Sequence, residues 1–178
     1  IMKTNLKVLI LSLGMLISSV GTISAVTAQT STNQNLQNIL INNQQKNWIQ
    51  ASARQARNRE LTAFSNSKYD YWDARVLGNY WGKSAYEAKA IIGRKIRWGK
   101  SDVAILEQFL VDARLKALEK LDSNTNNLPL YIDSKYRYND AQKLANLWGE
   151  KSPWDAKIRI ERNLILGQQE VIEQALRR

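Results

Sequence analysis

Apolar residues in the middle of the chain recur every three or four positions, which is the spacing of one face of an α-helix. No segment alternates apolar and polar residues convincingly at period two, so the pattern predicts an all-α fold. The most regular stripe predicts a long helix with a core-facing seam. It consists of Val103, Leu106, Leu110, Ala113, Ala117 and Leu121.

The chain contains an internal repeat of about 68 residues. Residues 69–82 match residues 136–149 at eight of fourteen positions, and the correspondence continues, after the inserted Glu150, as far as Val103 and Val171. A repeat decides the fold class because each copy is expected to form the same small unit. We therefore expect two tandem helical-hairpin repeats packed as a small bundle.

Helix start and stop signals occur in both copies. Gly82 and Gly149 follow apolar helical segments, where glycine commonly ends a helix in the left-handed conformation. Ser84 opens a Ser-x-x-Glu capping box in the first copy, and Ser152 followed by proline has the same role in the second. Each copy is thus predicted to form two helices joined by a short turn, the first helix of copy one beginning near Asp73.

The beginning of the chain has the pattern of a secretory signal peptide. Two lysines precede an apolar run from Val8 to Val20, and small or β-branched residues follow up to Ala28. We expect cleavage after Ala28. The alternative is retention as a membrane anchor, which the short apolar run disfavours. The protein is accordingly expected in the periplasm or outside the cell.

These signals divide the chain into five segments. Residues 1–28 form the predicted signal peptide, and residues 29–62 form a polar, basic lead that is flexible to about residue 34 and then helical. The first repeat with its long third helix covers residues 63–123. A polar linker at 124–135 leads to the second repeat at 136–178.

The composition excludes several kinds of chemistry. The 178 residues include no cysteine and no histidine, which excludes thiolate and imidazole metal sites, disulfides and Cys or His catalytic pairs. The formal net charge is +10, and loss of residues 1–28 would remove two lysines and no acid to leave +8. We expect no catalytic residue, cofactor or metal. The leading hypothesis is an exported, non-catalytic binding or structural module of the cell envelope, whose positive charge suits an anionic wall polymer, a membrane surface or a protein partner.

Nucleic-acid binding is the second hypothesis. Gly78 and Gly82 stand four positions apart, like the small residue and the turn glycine of a helix-turn-helix, and a basic protein suits a phosphate backbone. The same geometry is a tight corner between two helices, which the export signal favours. In the first copy, Tyr86, Lys89, Arg94 and Lys95 would face the DNA groove. The candidate binding surface as a whole combines basic and aromatic residues of the second helix of each copy: Tyr86, Lys89, Arg94, Lys95, Trp98, Trp154, Lys157 and Arg162.

A carboxylate-dependent hydrolase is the third hypothesis. The repeated Asp73 and Asp140 could form an acid/base pair, but each is also expected to accept backbone N–H groups at its own helix N-terminus. Finding both carboxylates bonded in that way would remove the hydrolase. Among the aromatic residues, the repeated Trp81 and Trp148 are expected in the core, whereas a surface role stays open for Trp48, Trp72, Trp98 and Trp154.

Three short runs resemble a group of small exported proteins of cyanobacteria for which no activity is known. They are Tyr-Trp-Asp-Ala at 71–74, Trp-Gly-Lys-Ser at 81–84 and Glu-Ala-Lys at 87–89. The resemblance covers residues 69–98 well, residues 136–164 less closely and the N-terminal region not at all. It implies a cyanobacterial source and a repeat architecture, and it implies no activity.

Overall fold

The computed structural model describes the backbone of residues 23–177 and the side chains of residues 33–177. This part of the chain consists of α-helices and the turns between them, which confirms the predicted all-α class. The chain divides into two compact units between Ile49 and Gln50. The helices are α1 (Ile23–Ser65), α2 (Tyr71–Trp81), α3 (Ala85–Trp98), α4 (Lys100–Ser123), α5 (Pro129–Asp133), α6 (Tyr138–Trp148), α7 (Pro153–Ile165) and α8 (Gln169–Leu176).

Helix α1 runs from Ile23 to Ser65 and so includes the lead predicted at residues 29–62. No glycine or proline lies between Gly21 and Gly78, so no residue of the lead interrupts helical hydrogen bonding. Most of the predicted signal peptide, residues 1–22, lies outside the described residues, and its predicted cleavage position after Ala28 falls within α1. In the first unit, every described side chain from residue 33 to residue 49 is exposed.

Both predicted hairpins are present in the second unit, as α2–α3 and α6–α7. Gly82 and Gly149 end the first helix of each hairpin with φ angles of 66° and 69°, the left-handed values that glycine adopts without strain. The hydroxyls of Ser84 and Ser152 accept the amide N–H three residues further on, each at 3.2 Å. The predicted helix ends at these four positions are therefore confirmed.

Helix α2 starts two residues earlier than predicted. Asp70 is its N-cap, and its carboxylate accepts the amide N–H groups of Trp72 and Asp73 at 2.8 and 2.9 Å. Asp73 completes the capping box by accepting the amide N–H of Asp70 at 3.1 Å. Asp73 is thus the third residue of α2 and not its first.

The two hairpins share one core. Helix α2 packs on α3 and α4, α6 packs on α7 and α8, and both α2 and α4 contact α7. Four positions of the predicted stripe in α4 are buried, and Val103 and Ala117 are half-buried. The largest fully buried apolar side chains come from both hairpins and from α4 and α8: Leu77, Ile92, Leu106, Leu144, Ile160, Leu164 and Ile172.

The segment predicted as a linker, 124–135, contains a helix, which is a correction. Helix α5 begins with Pro129 at its first position, which suits proline because the N–H that proline lacks would be unpaired there. The buried carboxylate of Glu161 on α7 accepts the amide N–H groups of Leu130 and Tyr131 at 3.1 and 2.5 Å. A side chain distant in sequence therefore caps α5.

The tryptophans differ in how deeply they are buried. Trp72 is buried, and its indole N–H donates to the side-chain oxygen of Gln169 on α8. Trp81 and Trp148 are half-buried against the core, so their predicted core position is right only in part. Trp48, Trp98 and Trp154 are exposed.

Candidate functional site

The first aromatic–lysine cluster consists of Phe64, Tyr71 and Lys89. The Lys89 ammonium lies 5.5 Å from the centre of the Phe64 ring and 5.2 Å from that of Tyr71, within the range of cation–π attraction. Phe64 is buried at the end of α1, while Tyr71 is 40% exposed at the start of α2. The cluster therefore places a half-buried cation beside one accessible ring.

The second aromatic–lysine cluster consists of Tyr131, Tyr138, Trp154 and Lys157. The Lys157 ammonium lies 5.3–5.5 Å from the centres of the three rings. Tyr138 is 56% and Trp154 is 42% exposed, so two of the three aromatic residues of this cluster are partly accessible to a ligand. Burial, together with the negative charge of Asp140, raises the pKa of Tyr131.

The two clusters occupy corresponding positions of the sequence repeat. Lys89 corresponds to Lys157 one turn into the second helix of each hairpin, and Tyr71 corresponds to Tyr138 at the start of the first helix. Phe64 at the end of α1 corresponds in the same way to Tyr131 in α5. Helix α5 thus supplies the second cluster with the ring that the end of α1 supplies to the first.

The sequence also indicates this correspondence, in residues just upstream of the predicted start of each repeat. Ser-Lys-Tyr-x-Tyr occurs at residues 67–71 and again at 134–138. Ser67 donates its hydroxyl to the carbonyl of Phe64 at 2.6 Å, and Ser134 donates to that of Tyr131 at 2.7 Å. The match therefore extends upstream of residues 69 and 136 and includes the turn that orients each ring.

The remaining predicted surface residues are held by partners within the protein. Arg94 pairs with the buried Glu60 at 2.7 Å, and Arg162 pairs with Asp122 at 2.7 Å. Trp98, which is 64% exposed, lies in a separate group on α3 and α4. In that group Lys95 lies 3.5 Å from Asp102 and about 6 Å from the ring centres of Trp98 and Phe109.

Tyr86 is exposed near the start of α3, where the Arg57 guanidinium lies 5.9 Å from the centre of its ring. It corresponds to Trp154 in the repeat but is not among the rings around Lys89. The eight predicted residues therefore do not form one stripe. The structure brings Lys157 together with Trp154 and Lys95 together with Trp98, and it places the other four in separate groups.

The α2–α3 corner differs from a DNA-binding helix-turn-helix, in which the second helix is free to enter the groove. The four residues of α3 that would face a DNA groove all have neighbours within the protein. Arg57 lies over the Tyr86 ring, Lys89 contacts the rings of its cluster, and Arg94 and Lys95 pair with Glu60 and Asp102. Helix α3 also lies against the backbone of α1, because a Cβ atom built on Gly93 would stand 1.8 Å from the Glu60 carbonyl oxygen. This geometry favours a packed corner over entry of α3 into a DNA groove.

Both repeated aspartates are bonded to backbone amides, as expected for helix caps. Asp140 accepts the amide N–H of Arg137 at 2.7 Å, and Asp73 accepts that of Asp70 and also pairs with Arg114 at 2.7 Å. Burial raises the pKa of Asp73, while the Asp70 amide and Arg114 act to lower it. Because both carboxylates cap their own helices, we do not propose a hydrolase that uses them.

Within the described side chains, no group of three or more His, Cys, Asp or Glu residues could hold a metal ion. Among the described helices, none combines the length and the hydropathy that a membrane span requires. No protein-family model, no curated protein and no solved structure matches this chain. Its function must therefore be inferred from the arrangement of its own side chains.

Proposed function

We propose that the protein is an exported, non-catalytic binding module of the cell envelope that holds an acidic wall polymer on its two aromatic–lysine clusters. One observation carries the proposal: Lys89 and Lys157 meet aromatic rings at corresponding positions of both hairpins. A polymer presents the same chemical group many times, so a repeated site suits it. Once one cluster has bound the polymer, the other cluster meets the same polymer at a raised effective concentration, so two weak contacts together bind it more tightly.

The chemistry of each cluster fits an acidic sugar or a phosphate-linked glycan. The accessible faces of Tyr71, Tyr138 and Trp154 can stack on the apolar face of a sugar ring. The half-buried ammonium of Lys89 or Lys157 adds an attraction for a nearby carboxylate or phosphate. The positive net charge of the chain adds a longer-range attraction.

The lysine–ring contacts also join helices within each hairpin, so a purely structural role must be separated from binding. The exposed Trp154 allows this separation, because its removal takes away an accessible ring without opening the core. Trp98 is the matched control. It is also exposed and also lies near a lysine, but the corresponding position in the other hairpin is Leu166.

Co-sedimentation with purified cell-wall sacculi tests the proposal. We expect retention at low salt that weakens at high salt, and weaker retention on sacculi treated with hydrofluoric acid, which cleaves phosphodiester-linked polymers. We expect Trp154→Ala to lower the affinity about tenfold, which corresponds to about 1.4 kcal/mol of stacking and contact energy. Trp98→Ala should bind like the natural protein. No retention at either salt concentration would contradict the proposal.

The proposed location has its own test. The signal-peptide pattern supports a mature chain that begins at Gln29 outside the cytosol. N-terminal sequencing of the native protein, together with cell fractionation, should find that terminus in the periplasmic or secreted fraction. A cytosolic protein that keeps residues 1–28 would exclude the wall polymer as its ligand.

A further inference from the structure

A cleft of about 540 Å³ lies between α2, α4 and the α5–α7 region, and no residue of either aromatic–lysine cluster lines it. Its volume falls within the range of about 300–1,000 Å³ that is typical of small-molecule sites. Its floor is apolar and comes from α2, α4, α5 and α7: Val76, Ala113, Ala117, Leu121, Leu130 and Ile165.

Three exposed lysines also line the cleft. Lys83 lies in the turn after α2, and Lys116 and Lys120 lie one turn apart on α4. In the described part of the chain, none of these three ammonium groups has a carboxylate within 4.0 Å. The ammonium of Lys116 lies 5.6 Å from the centre of the Tyr80 ring. The rim therefore carries positive charge that the described carboxylates do not pair.

The other charged groups of the cleft already have partners. Arg75 forms an ion pair with Asp133 at 2.5 Å. The acidic lining residue Glu161 accepts the amide N–H groups of Leu130 and Tyr131, and its pKa is raised by burial. The cleft thus offers a ligand an apolar floor and three lysines at the edge.

We propose that this cleft binds a single-chain amphiphile with an anionic head, of the fatty-carboxylate class. The alkyl chain would cover the floor, where burial of its CH2 groups away from water is favourable. The carboxylate would lie among the ammonium groups of Lys83, Lys116 and Lys120. This charge complementarity selects an anionic amphiphile over a neutral or cationic one.

Fluorescence titration of the full chain with 11-(dansylamino)undecanoic acid tests the proposal. We expect saturable, one-to-one enhancement of the dansyl emission with a shift to shorter wavelength. Decanoate should displace the probe at a concentration at least tenfold lower than 1-decanol, which has the same chain without the charge. No enhancement, or equal displacement by the two competitors, would overturn the proposal.

Two variants locate the site in the cleft. Lys116→Gln with Lys120→Gln should raise the Kd of the probe about tenfold, while Lys151→Gln should leave it unchanged. Lys151 is the matched control because it occupies the turn position of the second hairpin that corresponds to Lys83 and does not line the cleft. An equal effect of the double variant and the control would overturn the assignment to this rim.

Ala117→Phe tests the apolar floor independently of charge. The half-buried Ala117 lines the cleft, so a benzyl group at this position should occupy part of the space and raise the Kd of the probe at least tenfold. A thermal melt followed by circular dichroism should show that this variant remains folded. A folded variant that binds the probe as the natural protein does would overturn the proposal.

Discussion

Asp73 and Asp140 occupy the same position of the repeat, yet their surroundings differ. Asp73 is buried and accepts hydrogen bonds from the Asp70 amide and from Arg114. Asp140 is half-buried and bonds to the Arg137 amide. The Nε atom of Arg114 is buried without a hydrogen-bond partner, while its Nη2 atom donates to the Asp73 carboxylate at 2.7 Å. The same residue is therefore a simple helix cap in one hairpin and part of an ion pair in the other.

We expect Asp73→Ala to destabilise the protein more than Asp140→Ala. The first change leaves a partly buried guanidinium without its carboxylate, which should cost about 1–3 kcal/mol, whereas the second removes a helix cap worth about 1 kcal/mol. Urea denaturation followed by circular dichroism would measure both free energies of unfolding. Equal losses in the two variants would show that the Arg114 pair contributes nothing beyond capping.

At the scale of the helices, one position of the repeat explains how the two hairpins differ. In α3 this position is Gly93, and its backbone lies directly against that of α1 at Glu60. In α7 the corresponding residue is Glu161, and its carboxylate reaches the first amides of α5. Because α5 begins only at Pro129, its N-terminus has free N–H groups there, and a carboxylate can satisfy them. Glycine permits the closer helix contact, and glutamate caps the shorter helix.

We expect Gly93→Ala to destabilise the protein although alanine is the better helix former. A Cβ atom at this position would stand 1.8 Å from the Glu60 carbonyl oxygen, so α1 and α3 must separate, at a cost of about 3 kcal/mol against about 1 kcal/mol gained in helix propensity. Asn146→Ala on the exposed face of α6 is the control, because it improves propensity without a clash. In thermal melts, Gly93→Ala should lower the Tm and Asn146→Ala should raise it. An increase in Tm for both would contradict the close contact of α1 with α3.

Local signals were readable from the sequence, and contacts between distant segments were not. The caps at Ser84 and Ser152 and the left-handed Gly82 and Gly149 depend on neighbours within four residues, so their pattern sufficed to predict them. The capping of α5 depends on Glu161, about thirty residues further along the chain, and no local pattern announces it. A single sequence therefore predicts helices better than it predicts their partners.

The candidate site shows the same limit. The repeat pointed to Lys89 and Lys157 as surface residues, but the rings around them come from α1, α2, α5 and α6 as well as α7. Arg94 recurs as Arg162, which predicts a place beside these lysines, yet it pairs with the buried Glu60. Recurrence identifies equivalent positions, while the crossing of the helices decides which side chains meet.

At the scale of the whole second unit, the hairpins are not independent repeats. Trp72 of α2 donates a hydrogen bond to Gln169 at the start of α8, near the other end of the chain, and α4 packs against α7. The position that corresponds to Trp72 in the second copy is Asn139, which is exposed. Each residue suits its surroundings, because Trp72 packs towards α8 in the first copy and Asn139 faces solvent in the second. The shared core is thus built on differences between the copies.

A shared core predicts that both hairpins unfold in one transition. Leu164→Ala in α7 removes a fully buried side chain and should lower the free energy of unfolding by about 2–5 kcal/mol. Leu147 in α6 is 46% exposed, so Leu147→Ala should lower it by well under about 1 kcal/mol. In the Leu164 variant, helix content measured by far-ultraviolet circular dichroism and tryptophan fluorescence should change at the same lowered urea concentration. Because tryptophans lie in both hairpins, Trp72 and Trp81 in the first and Trp148 and Trp154 in the second, a transition that splits into two steps in either signal would mean that the hairpins fold separately.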